Sequence, residues 1–201
     1  MRFSKFISIF FHPINFPVIG SLLYFLLIPK HIFKPQEYTF LAVIFFLTYI
    51  FPLILLFLLK RFRMISSYHM VSVEERKFPT ILFISISFII WNWLYKSSLV
   101  DLLSLLFLGY GIAFIISYIL LYLKIKISLH TGAIGGLIGF LIYFGYHYQI
   151  NLTLFLALFF VLCGLIASSR LRLKAHTSTE VFVGFVIGLA TQLLAYLLYI
   201  I

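Results

Sequence analysis

Charge is scarce in this chain, and acidic charge is the scarcest of all. Its 201 residues include five Asp and Glu residues against fifteen Lys and Arg residues; charged residues make up 10% of the total, whereas 64% are hydrophobic. A water-soluble domain of this length needs more polar side chains to cover its surface. The composition therefore excludes a soluble globular domain and predicts an integral membrane protein.

Cysteine is almost missing as well. The single cysteine, Cys163, excludes an intramolecular disulfide and a thiolate metal site. Carboxylates are too sparse for a two-metal centre, so we expect neither a metal nor another cofactor. We also expect no nucleic-acid partner despite the net charge of +10, because the cations lie in short turns beside apolar runs, where they meet lipid head groups.

Long apolar runs are what the sequence has in abundance. Runs of about 17–25 apolar residues match the hydrocarbon thickness of a bilayer when they are helical, and the alternation typical of barrel strands is missing. We predict an all-α bundle of six to seven transmembrane spans, forming one integral membrane domain over residues 1–201. The expected spans lie near residues 13–29, 38–59, 79–95, 99–123, 131–148, 151–167 and 181–201. The first is the weakest, because prolines interrupt its opening turn.

The loops of this topology differ in charge between the two membrane faces. Twelve of the fifteen Lys and Arg residues fall on the face that holds the N-terminus, and the other face has Lys30, Lys34 and Lys96. By the positive-inside rule, this bias predicts that the N-terminus is cytoplasmic. Lys and Arg residues that bind an anionic ligand would also be counted on this face, so they would add to the bias for a reason other than topology.

Three polar clusters, residues 73–79, 124–136 and 169–181, are each separated by two predicted spans, which places all three on one face. Their cations, hydroxyls, imidazoles and carboxylate are Arg76, Lys124 or Lys126, Arg170, Ser128, Ser169, His130, His176 and Glu180. Arginine forks match the non-bridging oxygens of phosphate, one histidine can attack phosphorus, and another can protonate the leaving oxygen. These side chains predict a metal-independent site for a phosphate monoester.

The third cluster resembles a motif of the type 2 phosphatidic acid phosphatase superfamily. That motif is Ser-Arg, five residues, His, three residues, Asp. The stretch "SRLRLKAHTSTE" has the same spacing, with Glu in place of Asp, at Ser169, Arg170, His176 and Glu180.

The second cluster is similar to the Pro-Ser-Gly-His motif of the same family. The letters "ISLH" align Ser128 and His130 with its serine and histidine, while isoleucine and leucine replace the proline and glycine. The family's first motif has no clean copy, and "ERKFP" supplies only Arg76, with Pro79 two residues too late. The resemblance thus covers residues 124–200 and leaves the N-terminal half loosely matched.

The resemblance implies a role for each matched residue. His176 would be the nucleophile that forms a phosphohistidine, Glu180 would hold its other ring nitrogen, and His130 would protonate the departing lipid alcohol. Phosphate would be bound by Ser128, Ser169 and Arg170, and the chemistry of the clusters adds Arg76 and Lys126 to this set. Glu180 also follows Thr177 at capping-box spacing, which predicts the start of the last span.

The expected function is therefore a metal-independent membrane phosphatase or phosphotransferase. Its substrate would be a lipid phosphate or polyprenyl pyrophosphate, with membrane lipids as partners, in the bacterial cytoplasmic membrane. Two alternatives stay open: a degenerate relative that binds or carries anionic lipid without chemistry, and an unrelated small transporter or scaffold. The charge bias favours a cytoplasmic site, whereas the bacterial relatives implied by the resemblance usually open to the periplasm.

Overall fold

The computed structural model describes residues 2–62 and 73–201, with the side chains of the second range from residue 77 onward. Helices make up most of these residues, and no β-strand occurs among them. The helices are α1 (Arg2–Phe10), α2 (Phe16–Leu27), α3 (Lys34–Phe45), α4 (Phe51–Arg61), α5 (Val73–Lys96), α6 (Asp101–Tyr122), α7 (Leu129–Tyr148), α8 (Thr153–Arg172) and α9 (Ser178–Ile200).

Seven helical segments of the described chain are long and apolar enough to cross a membrane. They are Arg2–Leu27, Lys34–Arg61, Lys77–Lys96, Asp101–Tyr122, Leu129–Tyr148, Thr153–Arg172 and Ser178–Ile200. A span of about 20 residues covers the roughly 30 Å of the hydrocarbon layer. The chain is therefore a multi-pass helical membrane protein, as the composition predicted.

The first segment is not one continuous helix. It consists of α1, a 3₁₀ turn at Pro13–Asn15 and α2, with His12 in an extended conformation between them. Two prolines explain the break, because Pro13 restricts the residue before it to extended conformations and Pro17 suits the first turn of a helix. The sequence-based expectation began this span near residue 13, so α1 was missed.

The second segment is continuous but irregular. A π-helical turn at Phe46–Ile50 joins α3 to α4, and the Phe51 amide donates to the Phe46 carbonyl, five residues back. Pro52 follows directly and has no amide hydrogen to donate. Together these elements form the longest candidate span, Lys34–Arg61.

Glycines allow α7 and α9 to pack at backbone contact. A Cβ atom on Gly188 would overlap the Gly132 carbonyl oxygen, and one on Gly135 would lie 2.5 Å from the Phe185 carbonyl oxygen. Small residues at four-residue spacing are typical of such close crossings in membranes. Because the Ser128 amide also donates to the Glu180 carbonyl at 3.0 Å, α7 and α9 run parallel and begin at the same end of the bundle.

Buried polar bonds tie α6 to this helix pair. The Gln192 side chain of α9 is fully buried and donates to the Leu106 carbonyl of α6 at 2.9 Å, while the Tyr143 hydroxyl of α7 donates to Gln192 Oε1 at 3.3 Å. Such bonds satisfy groups that lipid cannot. They hold α6, α7 and α9 in one register, which positions the first turns of α7 and α9.

Candidate functional site

The first turn of α9 positions a histidine against a carboxylate. Thr177 is the N-cap, and its side chain and that of Glu180 form a reciprocal capping box. His176 precedes the cap, and its Nδ1 lies 2.7 Å from Glu180 Oε2. Because a carboxylate oxygen accepts, Nδ1 carries the hydrogen in this contact, which leaves Nε2 as the ring nitrogen with the lone pair in the neutral form. The His176 side chain is 8% exposed.

The first turn of α7 is joined directly to the turn of Glu180. Ser128 is the N-cap of α7, is fully buried, and accepts from the Thr131 amide through Oγ at 3.5 Å. The Thr131 hydroxyl reaches the Val181 carbonyl at 2.8 Å. His130 lies in the same turn and is 8% exposed. The helix cap and the hydrogen bonds between the two helices therefore fix the position of His130, along the helix axis, relative to the first turn of α9.

The end of α8 brings a guanidinium to the same place. α8 runs antiparallel to α7 and α9 and ends at Arg172, and Ser169, near its end, is 3% exposed. Arg170 Nη1 donates to the Ser8 hydroxyl of α1 at 2.6 Å. His130 Nε2 lies 3.1 Å from the Ser8 carbonyl oxygen and 3.4 Å from the Ser8 hydroxyl. Ser8 thus bridges the arginine and the histidine.

A third imidazole stands beside this bridge. The ring of His12 meets the ring of His130 edge to face, with centroids 5.4 Å apart. Its own Nδ1 accepts from the Ile14 amide at 3.4 Å. Arg170, His12 and His176 are all close enough to act electrostatically on the His130 ring. Imidazoles and a guanidinium therefore lie at one end of the bundle. We call it the polar end, meaning the end of the bundle at which Ser128, Arg170 and Glu180 lie.

The structure describes the side chains of seven of the eight sequence-predicted residues, and these fall into three groups. The polar end holds His130, Arg170, His176 and Glu180, and backbone contacts join the first turn of α7 to the first turn of α9. Ser128 and Ser169 are buried in the same turns, and the Ser128 hydroxyl acts as a helix cap. Lys126 is exposed in the loop before α7, and no described contact joins it to the others. The side chain of Arg76 lies outside the described residues.

Sequence reasoning missed Ser8 and His12, which belong to the polar end. The available signal was their spacing, since Ser4, Ser8 and His12 recur every fourth residue between phenylalanines and isoleucines. Residues at that spacing share one helix face. In the structure Ser4 is 4% exposed, so α1 turns its polar face inward and its apolar face outward.

An apolar cavity lies against the first turn of α7 and the second and third turns of α9. Its interior is about 40 Å³. Its walls include Pro13, Pro17, Tyr110, Gly132, Gly184 and Gly188. The part of α7 that carries His130 and the part of α9 that follows Glu180 therefore border an apolar space.

No protein-family model matches the chain, and no curated protein and no solved structure matches it. The class of protein is thus the one defined by the fold, a multi-pass helical membrane protein with a polar end that holds a guanidinium and several imidazoles.

Proposed function

We propose that the chain is a metal-independent membrane phosphatase or phosphotransferase that acts on a lipid phosphate or polyprenyl pyrophosphate. The observation that carries the proposal is the 2.7 Å contact between His176 Nδ1 and Glu180 Oε2, at the same end of the bundle as Arg170 and His130. A nucleophile, a group that orients it, a fixed cation and a second imidazole are the parts that phosphoryl transfer requires.

The first step of the proposed reaction uses His176 as nucleophile. Glu180 holds Nδ1–H, so the lone pair on Nε2 attacks phosphorus and forms the N–P bond while the bond from phosphorus to the lipid oxygen breaks. The negative charge of the bound phosphate favours the imidazolium form of His130, which gives a proton to the departing oxygen. The guanidinium of Arg170 balances the charge on the non-bridging oxygens.

The second step releases the phosphoryl group from His176. Water, or an alcohol in the phosphotransferase case, attacks phosphorus and loses a proton to neutral His130, and the N–P bond breaks. His176 and the protonated His130 are then ready for the next substrate. The same imidazole acts first as acid and then as base, as reversibility requires.

A lipid substrate is favoured by the surroundings of the polar end. The residues of α7 and α9 next to these turns border the small apolar cavity of about 40 Å³, and both helices are candidate membrane spans. A phosphate at the head-group level and a hydrocarbon chain in the bilayer would reach this place together. We place the protein in a bacterial cytoplasmic membrane, where lipid phosphates of this kind occur.

The direct test is phosphate release by purified protein in detergent micelles with EDTA present. Phosphatidic acid, phosphatidylglycerol phosphate and a polyprenyl pyrophosphate are offered separately, and inorganic phosphate is measured. We expect release from at least one of them at an unchanged rate with or without EDTA. Binding of these lipids without any release would contradict the proposal and favour a lipid-binding protein.

Glu180→Gln tests the orientation of His176 separately from the helix cap. Glutamine also serves in a capping box, but it removes the charge that holds Nδ1–H, so we expect a fall in kcat of at least about tenfold with unchanged folding. The matched variant Thr177→Ala removes the cap and leaves the His176 contact in place. It should lower stability by about 1 kcal/mol and keep kcat. Equal effects of the two variants on kcat would count against the orienting role.

Arg170→Lys tests phosphate binding. A lysine keeps the charge but loses the planar fork, so we expect KM for the lipid phosphate to rise at least about tenfold. Arg172→Lys is the matched control, because Arg172 ends the same helix and is exposed. Steady-state kinetics should show no change in the control. A similar rise in KM for both variants would indicate a general charge effect and not a specific contact.

A further inference from the structure

The last turn of α1 occupies the place where the proposed function puts the substrate's phosphate. Two oxygen atoms of Ser8 lie there: the hydroxyl accepts from Arg170 Nη1 at 2.6 Å, and the carbonyl oxygen lies 3.1 Å from His130 Nε2. A phosphate oxygen bound between the guanidinium and the imidazole needs these same donors. Ser8 and the phosphate therefore compete for the same atoms.

The C-terminal end of α1 presents partial negative charge, as a bound anion would. The amides of Phe11 and His12 donate to the carbonyls of Ile7 and Ile9, and the Ser8 carbonyl between them receives its contact from His130. Carbonyls at a helix C-terminus carry partial negative charge, because the peptide dipoles align. The negative end of α1 thus faces the guanidinium of Arg170 and the ring of His130.

Few residues of α1 are buried against the bundle, so the helix can detach and return. Of its nine residues, Ser4 and Ile7 are buried, at 4% and 6% exposure, whereas its other face exposes Phe3, Phe6, Ile9 and Phe10 at 57–74%. The extended residue His12 and the following Pro13 separate α1 from α2, so α1 can move without unfolding α2.

We propose that α1 is an intramolecular competitor of the substrate: its last turn fills the phosphate subsite at rest, and a bound phosphate group displaces it. This inference rests on the proposed function, because the subsite belongs to that site. The apolar outer face of α1 allows the displaced helix to stay at the lipid surface.

Cysteine labelling measures the displacement without any turnover. Ser4→Cys is made in a Cys163→Ala background, and the rate of reaction with a water-soluble maleimide is measured in micelles with inorganic phosphate or with chloride at the same ionic strength. We expect phosphate to raise the labelling rate at least about threefold, because it increases the fraction of protein with α1 undocked. Phe3→Cys, on the exposed face, should label equally in both salts. An unchanged rate at position 4 would overturn the proposal.

Kinetics of a loosened α1 give the second measurement. Ile7→Ala removes buried packing between α1 and the bundle, so we expect KM for the lipid phosphate to fall at least about threefold with kcat within about twofold. Ile9→Ala makes the same truncation on the exposed face, at 74% exposure, and should change neither constant. A rise in KM for Ile7→Ala would show that α1 helps to bind substrate and would overturn the proposal.

The two measurements separate this inference from the proposed function. Phosphate-dependent labelling at position 4 with no hydrolysis of any lipid would support the competition and contradict the phosphatase chemistry. Hydrolysis that requires His176, with labelling at position 4 unaffected by phosphate, would contradict the competition alone.

Discussion

His176→Ala is expected to reduce phosphate release from the lipid substrate at least about a thousandfold in the presence of EDTA. The physical reason is that alanine removes the nitrogen that attacks phosphorus, and Glu180 cannot replace it because its carboxylate acts through the ring. The folded yield should stay the same, since the capping box of Thr177 and Glu180 does not need the imidazole. Released phosphate and the elution profile of the purified protein are the two measurements.

The control for this variant is another histidine at the surface. His31 is exposed and its ring contacts Phe33, so His31→Ala should keep full activity. Phosphate release that survives His176→Ala would remove this residue from the nucleophilic role. A loss of activity in both variants would point to the preparation and not to His176.

Gly188→Ala is expected to cause the largest loss of stability among single substitutions in the bundle. The new Cβ would overlap the Gly132 carbonyl oxygen and lie 2.8 Å from Gly132 C and from the Gly136 amide nitrogen. These atoms are backbone, so no side chain can move aside and α7 must separate from α9. We expect a loss of about 3 kcal/mol or more, or no folded protein at all, measured by thermal unfolding in detergent.

Gly164→Ala is the matched control for this prediction. No atom lies within 4 Å of a Cβ built at Gly164 of α8, so the same change adds a methyl group in open space. It should leave stability unchanged or raise it by up to about 1 kcal/mol, because alanine favours helix. Equal unfolding temperatures for the two variants would contradict the close packing of α7 on α9.

The spans were predictable because apolar runs of the right length have few alternatives to a membrane helix. The fifth expected span, residues 131–148, became Leu129–Tyr148, and the difference is the N-cap at Ser128. What the runs could not reveal is the break that separates α1 from α2, or the π-helical turn before Pro52. The break follows from the conformational limits that Pro13 and Pro17 impose, and the turn accompanies the missing amide hydrogen of Pro52, whereas hydropathy reports only burial in lipid.

The geometry of the candidate site was predictable only in part. The contact between His176 and Glu180 was expected because the resemblance of "SRLRLKAHTSTE" to a known motif implies it, and the span count was enough to expect the three polar clusters on one face. Ser8 is 122 residues from His130 and 162 residues from Arg170, so no local pattern relates them. The contact arises because α1 packs against α8, which is a tertiary event. The contact between the rings of His12 and His130 could not be predicted for the same reason, because the two residues are far apart in the sequence.

The most direct measurement of the central claim is the trapping of the phosphorylated enzyme. Purified protein is mixed with a lipid phosphate labelled on phosphorus, quenched in alkali, which preserves phosphohistidine, and digested for mass spectrometry. We expect the label on the peptide that contains His176, and no label in His176→Ala protein. Lipid phosphate hydrolysis with no phosphoryl group on His176 at any time of quenching would contradict the account.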